Sequence, residues 1–318
     1  MRPSELVGMG QADGTVTILM AVRNGAGFLP AQLRSIASQS HSAWRLWASD
    51  DGSVDRSPEI LSAFAGHGHE VRLWPGPRKG AAANFLSLAR RIEPESAGWV
   101  GFADQDDVWL PDRLSRGIGA LRALPRHRPA LYCSRSWIVD CALKDARLSP
   151  PRPHGPSFRN ALLQNIAAGN TILLNPAAAR LAAVAARRVG PVPMHDWWLY
   201  QLITGVGGAV IHDDMPTILY RQHGQNVMGT GRGWRARAAR LGLLGSGQYR
   251  VWNRQNLAAL HAMRLWLTPE NREILNRFDA ACAGGPLRMQ RAIRHLGLYR
   301  QSRAETAAMW CAAGLGRL

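Results

Sequence analysis

The chain has 318 residues, enough for one large domain or a domain with an appendage, and its 46% hydrophobic and 19% charged residues suit a globular protein with a sizeable core. Four scattered cysteines, Cys133, Cys141, Cys282 and Cys311, show neither CxxC nor CxxH spacing, which argues against a zinc site or a disulfide framework and fits a reducing, cytoplasmic setting. The formal charge of +17 comes almost wholly from arginine (37 Arg, 2 Lys), and +11 of it falls between Gly231 and Leu318, a basic surface that suits nucleic acid, anionic lipid or a phosphorylated substrate equally.

Residues 1–14 carry no apolar core behind a basic start, so they are expected to be a flexible N-terminus and not a signal peptide. Thr15–Val22 is a buried-strand run, followed by a helix-period segment at Leu29–Gln39. Strand Trp44–Ser49, helix Pro58–Ala65, strand Val71–Trp74, helix Ala81–Arg91 and strand Trp99–Ala103 continue the alternation. Helix Leu114–Leu124 then leads to strand Leu131–Val139 and a Pro-rich surface loop, Ser149–Pro156. Beyond it the pattern predicts a helix, strand Asn170–Leu174, helix Ala177–Arg188, helix Met194–Ile203, and strands Ala209–Ile211 and Thr217–Tyr220. The longest charge-free apolar run, about Trp197–Ile211, is too short to span a bilayer and is broken by Gly205, Gly207 and Gly208. From about Gly229 onward the chain turns helical and Arg-rich, which places a boundary near Thr230. Repeated βα units of this length imply a parallel sheet covered by helices on both faces.

In such sheets ligands sit beyond the carboxyl ends of the strands. Four polar segments fall there: Arg23-Asn24-Gly25-Ala26-Gly27, Asp50-Asp51-Gly52-Ser53, Gly76-Pro77-Arg78-Lys79-Gly80 and Asp104-Gln105-Asp106-Asp107. Their convergence on one sheet edge says more than any single motif. Three carboxylates within four residues repel one another unless a cation neutralises them, and oxygen ligands of this kind select Mg²⁺ or Mn²⁺ beside a diphosphate. The alternative is an acidic loop ahead of the helix that Leu110-Pro111 opens. Asp50-Asp51-Gly52-Ser53 is either an ordinary turn or a carboxylate that reads a base or ribose. His195-Asp196-Trp197-Trp198 starts a helix, where Asp196 is either a cap or a general base toward a hydroxyl. His223, just after a strand, is by itself more readily structural than a ligand.

Taken together, VTILMAVRNGAGFLPAQLRSIASQS (16–40), WRLWASDDGSVDRS (44–57), RKGAAANF (78–85), VGFADQDDVWLPDRL (100–114), AAGNTILLN (167–175), MHDWWLY (194–200) and ILYRQHGQNVMG (218–229) resemble family-2 glycosyltransferases. The likeness is strongest to bacterial rhamnosyltransferase-like members that build surface polysaccharides, and it runs colinearly over residues 15–229. It implies an A-type glycosyltransferase fold (GT-A): a Rossmann-like, mostly parallel sheet with helices on both faces, here with a C-terminal helical appendage at 230–318. It also implies a Mn²⁺ or Mg²⁺ cofactor and inversion at the anomeric carbon. By position in the motifs, Asp104 would touch ribose or metal, Asp106 would be the main metal ligand with Asp107 close by, and Asp196 would be the general base. Asp50 would read the base against the backbone of Ala21 and Val22. Arg23 and Asn24 of the first loop, with Arg78 and Gly80, would approach the nucleotide, and Gly169, Asn170 and Thr171 would line the sugar or acceptor. His223 would close over the diphosphate or metal. Relatives usually carry Tyr where this chain has Arg23, so an aromatic partner for the base is either lost or replaced by a guanidinium platform, which leaves the preferred nucleotide open.

The function this implies is transfer of a sugar, a rhamnose-like deoxyhexose foremost, from a dTDP- or UDP-sugar to a hydroxyl of a growing surface glycan or lipid-linked acceptor. The alternatives are galactose, glucose or an amino sugar on the same scaffold, or a non-catalytic basic protein that binds nucleic acid. No helix-turn-helix, zinc-finger or RNP signature supports the last, so no nucleic-acid partner is expected. Trp234–Leu244 and Met289–Tyr299 alternate Arg with apolar residues at helical spacing. That pattern fits either an amphipathic unit on the anionic inner membrane leaflet or a helical cap on the catalytic core.

Overall fold

The computed structural model describes residues 14–224 and 247–318. Strand β1 (Val16–Val22) is apolar at every position but Thr17 and lies at the heart of the sheet. It pairs in parallel with β2 (Trp44–Asp50) on one side and β4 (Trp99–Asp104) on the other. Such a continuous apolar run belongs to a strand covered on both faces. Ile18, Met20 and Val22 face one core with Leu29, Leu33 and Ile36 of helix α1 (Leu29–Ala37) and Leu61 of α2 (Ser57–Gly66). Leu19 faces the other core, with Phe85 and Leu88 of α3 (Ala81–Ala89). Strand β3 (Val71–Pro75) continues the parallel set beyond β2 and is largely exposed.

Past β4 the sheet departs from the parallel pattern that repeated βα units predict. Its order is β3-β2-β1-β4-β8-β6-β9-β5, with β7 (Arg147–Leu148) paired to β6 (Ala130–Val139). Strand β8 (Leu173–Leu174) runs antiparallel to both β4 and β6, and β5 (Val108–Trp109) runs antiparallel to β9 (Ala209–Arg221). The strand expected over Asn170–Leu174 is a 3₁₀ turn at Gly169–Thr171 followed by that two-residue β8. Buried Asn175 ends it: its Oδ1 accepts from Ala130 N (3.0 Å) and Ala178 N (2.9 Å), starting α6 (Pro176–Ala186) at once. The two strands expected at 209–211 and 217–220 are one, because β9 runs through Pro216 where the β6–β9 register shifts.

Helix α4 (Arg113–Arg122) adds to the first face, and α6 and α7 (His195–Gly205) to the second. The last nine residues of α7 are all buried, as befits a helix enclosed on every side. The sheet covers one flank. On the other, the short helix α5 (Phe158–Ala161) and α8 (Gln248–Ala262), α9 (Pro269–Ala283), α10 (Pro286–His295) and α11 (Arg303–Gly314) build a third core. Asn271 Nδ2 donates to the carbonyls of Thr204 (3.1 Å) and Gly205 (3.0 Å), satisfying the last turn of α7.

The appendage therefore buttresses the helix that begins at His195. Met289, Ile293, Leu296 and Leu298, the apolar residues of the segment that fits either a membrane unit or a helical cap, are buried in this third core. The boundary near Thr230 and the segment Trp234–Leu244 lie outside the described residues, as do 1–13. Among the described residues no helix is long and apolar enough to cross a membrane.

Candidate active site

The acidic loop is held open between two strands. Pairing of β5 with β9 sets Val108 opposite Leu219 and so brings Asp106 and Asp107 beside the end of β9. There Arg221 Nε donates to Asp106 O (2.9 Å) and Arg221 N to Asp107 Oδ1 (3.3 Å), while a guanidinium nitrogen reaches Cys141 O. His223 Nε2 meets Asp106 Oδ2 at 2.7 Å, with both side chains largely enclosed. The Phe28 ring lies between two of these groups, stacked on the His223 imidazole (centroids 4.7 Å apart, 18°) and 5.0 Å from the Arg221 guanidinium.

Asp107 points inward and accepts from Asn170 Nδ2 (2.6 Å). Burial first, then the charges of Asp104 and Asp106, hold its carboxyl well above the ordinary range. Behind it the buried Arg113 stacks on Trp109 (3.5 Å) and donates to Phe102 O (2.9 Å) and Asn170 O (2.8 Å). Burial lowers the Arg113 guanidinium to about 9, while Tyr132 and Asp107 act in the opposite sense. Arg113 thus ties β4 to the 3₁₀ turn, and Asn170 ties that turn to the acidic loop.

Asp104 completes the cluster. Burial, then Asp106 and then Asp196, push its carboxyl up to about 8, so Asp196 lies close enough to act on it electrostatically. Asp196 sits in the first turn of α7, its Oδ2 accepting from Gly169 N (3.1 Å) and its Oδ1 from Trp197 N (2.7 Å). Gly169 must lack a side chain: a Cβ there would lie 2.8 Å from His195 Nε2 and 3.3 Å from Asp196 Cβ. His195 is itself stacked on Phe85 (4.0 Å) and Phe102 (5.4 Å), and burial lowers its pKa.

The first three loops are laced together at the same edge. Ala21 and Val22 end β1, and the Arg23 backbone exchanges two hydrogen bonds with the Gln105 side chain (2.8 and 2.9 Å). Asn24, at φ 50°, bonds Ser53 Oγ and Val54 N. Asp50 closes its own turn by accepting from Gly52 N (3.3 Å), Ser53 N (3.0 Å) and the Ser53 hydroxyl. Its neighbour Asp51 is the buried one, accepting from Arg78 N (2.6 Å) and Gly80 N (2.8 Å) and so fixing the loop after β3. Gly80, at φ 86°, then leads into α3.

Every residue expected at the site therefore stands on the carboxyl edge or in the turns facing it. The direct contacts form two groups. Arg221 bridges Asp106 and Asp107, which hold His223 and Asn170 respectively, and Gly169 donates to Asp196. Ala21, Val22, Arg23, Asn24, Asp50, Arg78 and Gly80 line the other end. Phe28, Arg113 and Arg221 escaped the sequence reading, and Asp51, placed there in the Asp50–Ser53 segment, received no role of its own. Arg113 and Arg221 lie inside the quoted motifs VGFADQDDVWLPDRL and ILYRQHGQNVMG.

A curled, mostly parallel sheet with this acidic loop at its switch point defines an A-type glycosyltransferase that draws on a nucleotide-sugar donor. The model of glycosyl transferase family 2 matches residues 17–163. It is 28% identical over 243 residues to dTDP-rhamnosyl transferase RfbG of Shigella flexneri, covering 73% of this chain and 81% of that protein. Among solved structures, S. aureus TarS in complex with UDP-GlcNAc matches with a TM-score of 0.53 at 12% identity, over 95% of this chain and 89% of that one. The mannosyltransferase PcManGT from Pyrobaculum calidifontis, in complex with GDP-Man and Mn²⁺, matches with a TM-score of 0.50 at 19% identity, over 95% and 86%. These two structures show the fold.

Proposed function

We propose that the chain is an inverting, divalent-metal-dependent transferase that moves a rhamnose-like deoxyhexose from a dTDP-sugar, or a UDP-sugar, to a hydroxyl of a surface glycan or lipid-linked acceptor. The observation that carries the reading is the Asp106–His223 pair on the acidic loop, joined through Asp107 and Asn170 to the turn whose Gly169 donates to Asp196. The sugar follows from likeness to an enzyme named for dTDP-rhamnosyl transfer.

The donor set fits a hard cation. Asp104 and Asp106 offer oxygen, and burial with the charges of neighbouring acids raises the carboxyls of Asp104 and Asp107, so the cluster gains from a positive charge. Among the described residues no three His, Cys, Asp or Glu side chains form a complete cage, so phosphate oxygens would finish the shell. Bound there, Mn²⁺ or Mg²⁺ neutralises charge on the departing diphosphate, and a structural relative carries Mn²⁺ with its sugar nucleotide. Asp196 takes the proton of the acceptor hydroxyl, whose oxygen attacks the anomeric carbon as the bond to the diphosphate breaks on the opposite face. Ala21, Val22, Asp50, Arg78 and Gly80 hold the nucleotide, Arg23 and Asn24 shape its entrance, and Gly169 and Asn170 line the sugar. A lipid-linked acceptor brings the enzyme to the cytoplasmic face of the membrane, and its four free thiols suit that compartment.

A thermal-shift panel of sugar nucleotides, each with Mn²⁺ and with chelator, tests the reading. A donor at a hundredfold excess over its Kd stabilises the fold by about 2.7 kcal/mol. The rise in Tm should be largest for dTDP-rhamnose with Mn²⁺ and should vanish with chelator. No rise for any sugar nucleotide under either condition removes the proposal. Phe28→Leu gives a finer test, since it keeps apolar bulk but removes the face that supports His223. Loss of such stacking costs about 0.5–1.5 kcal/mol, which predicts a donor KM raised roughly two- to tenfold. Phe28→Tyr should restore it. Equal KM for both variants means the ring does not position His223.

A further inference from the structure

A second concavity lies on the appendage, a cleft of about 840 Å³ between the loop at Pro153–Gly155 and the hairpin of α10 and α11. Ile293, Leu298 and Trp310 supply apolar lining, and Arg294, Arg300 and Arg303 line it with positive charge. Arg300 has company, with a backbone contact at Leu163 and Glu305 at 3.8 Å. Arg294 and Arg303 do not: among the described residues neither guanidinium has a hydrogen-bond or ion-pair partner.

The surface beside the cleft repeats this chemistry. Leu287, Arg291 and Arg294 recur at i, i+4 and i+7 along α10, and Arg303, Ala307 and Trp310 do so along α11. Leu287 is 70% exposed, Trp310 44% and Leu315 75%. Leu315 lies near Leu287, since a Cβ on the next residue, Gly316, would sit 3.4 Å from the Pro286 ring. The opposite face of α10, with Met289 and Ile293, is committed to the core, and among the described residues these outer side chains stay exposed. From Gly285 to Leu318 the chain holds six arginines against one acid, Glu305.

Exposed aliphatic and indole side chains interleaved with unpaired guanidinium groups match an anionic interface that has an apolar layer beneath it. A nucleic acid would answer the arginines but leave Leu287 and Leu315 without a role. We propose that this cleft and hairpin dock the protein on an anionic phospholipid bilayer. Lipid phosphates sit against Arg294 and Arg303, and Trp310, Leu287 and Leu315 enter the headgroup layer. The proposal deepens the reading of a lipid-linked acceptor, because the same appendage braces α7 and thus the edge that bears Asp196.

Co-sedimentation of the full chain with vesicles tests it without donor or acceptor, so failure here leaves the transferase reading standing. The protein should sediment with phosphatidylcholine vesicles containing roughly one third phosphatidylglycerol and stay in solution with phosphatidylcholine alone. Arg294→Glu with Arg303→Glu should weaken that binding roughly tenfold or more, since each arginine near an anionic surface contributes appreciably. Trp310→Ser should weaken it by a smaller factor. Both variants should keep the parent Tm and the parent's donor-induced rise in Tm, which shows that fold and site are intact. The proposal is overturned if the parent ignores anionic vesicles, if the charge-reversed protein binds them as well as the parent, or if a single-stranded oligonucleotide strips the protein from them in the same salt.

Discussion

Asp196→Asn should lower kcat by about 10²–10⁴-fold, the range associated with loss of a positioned general base, while donor affinity stays near the parent value. The substitution is nearly isosteric and keeps one carbonyl oxygen. The native carboxylate accepts from Gly169 N and Trp197 N through its two oxygens, so the amide must leave one of those donors facing an NH₂ group. That mismatch costs on the order of 1 kcal/mol, a modest fall in Tm for a chain with this much buried core. The decisive comparison is between turnover and the donor-dependent thermal shift. A base acts only on the acceptor hydroxyl, so removing it must separate the two. Turnover within about tenfold of the parent means that Asp196 is a helix-start residue and no more.

How far the sequence alone reaches is clear from particular elements. Strand β1 was legible because a strand covered on both faces, six of its seven residues buried, leaves an almost unbroken apolar run, and α1 because its Leu29, Leu33 and Ile36 recur at helical spacing. The acidic loop was legible because three like charges in four residues need a physical reason. The antiparallel strands were not. Val108–Trp109 is only two residues long, and what makes it a strand is Ile218–Leu219, far along the chain. For the same reason Arg221 could not be placed at the acidic loop, since its neighbours Asp106 and Asp107 precede it by more than a hundred residues. Asp50 and Asp51 show the limit at closest range: both are acids in one turn, and only the fold shows that Asp51 is the buried anchor of the Arg78–Gly80 loop. The C-terminal helices stayed ambiguous for a simpler reason. A helix with apolar residues on one side and arginines on the other reads the same whether its apolar side meets a bilayer or the protein's own core, and Met289 and Ile293 meet the core.

Asp106→Ala attacks the other half of the mechanism and should abolish the separation that Asp196→Asn produces. Its carboxylate carries two duties: Oδ2 holds His223 Nε2 at 2.7 Å, and the same group is the foremost oxygen ligand offered to a cation. Removing it frees the imidazole from its anchor and deletes negative charge where a Mn²⁺–diphosphate pair would bind. Both changes weaken the donor complex. The expected result is a kcat/KM lower by about 10³-fold, equivalent to roughly 4 kcal/mol of lost transition-state stabilisation, and a Tm that no longer rises when sugar nucleotide and Mn²⁺ are added together. Asp106→Asn sorts the two duties. Its amide oxygen can still accept from His223, so the imidazole stays in place, but its charge is gone, and a neutral amide oxygen holds a divalent cation more weakly than a carboxylate does. If charge at the cation is what matters, the Asn variant should fail nearly as badly as Ala. If Asn retains the metal-dependent thermal shift, Asp106 serves to hold His223, and the cation must be held by other groups.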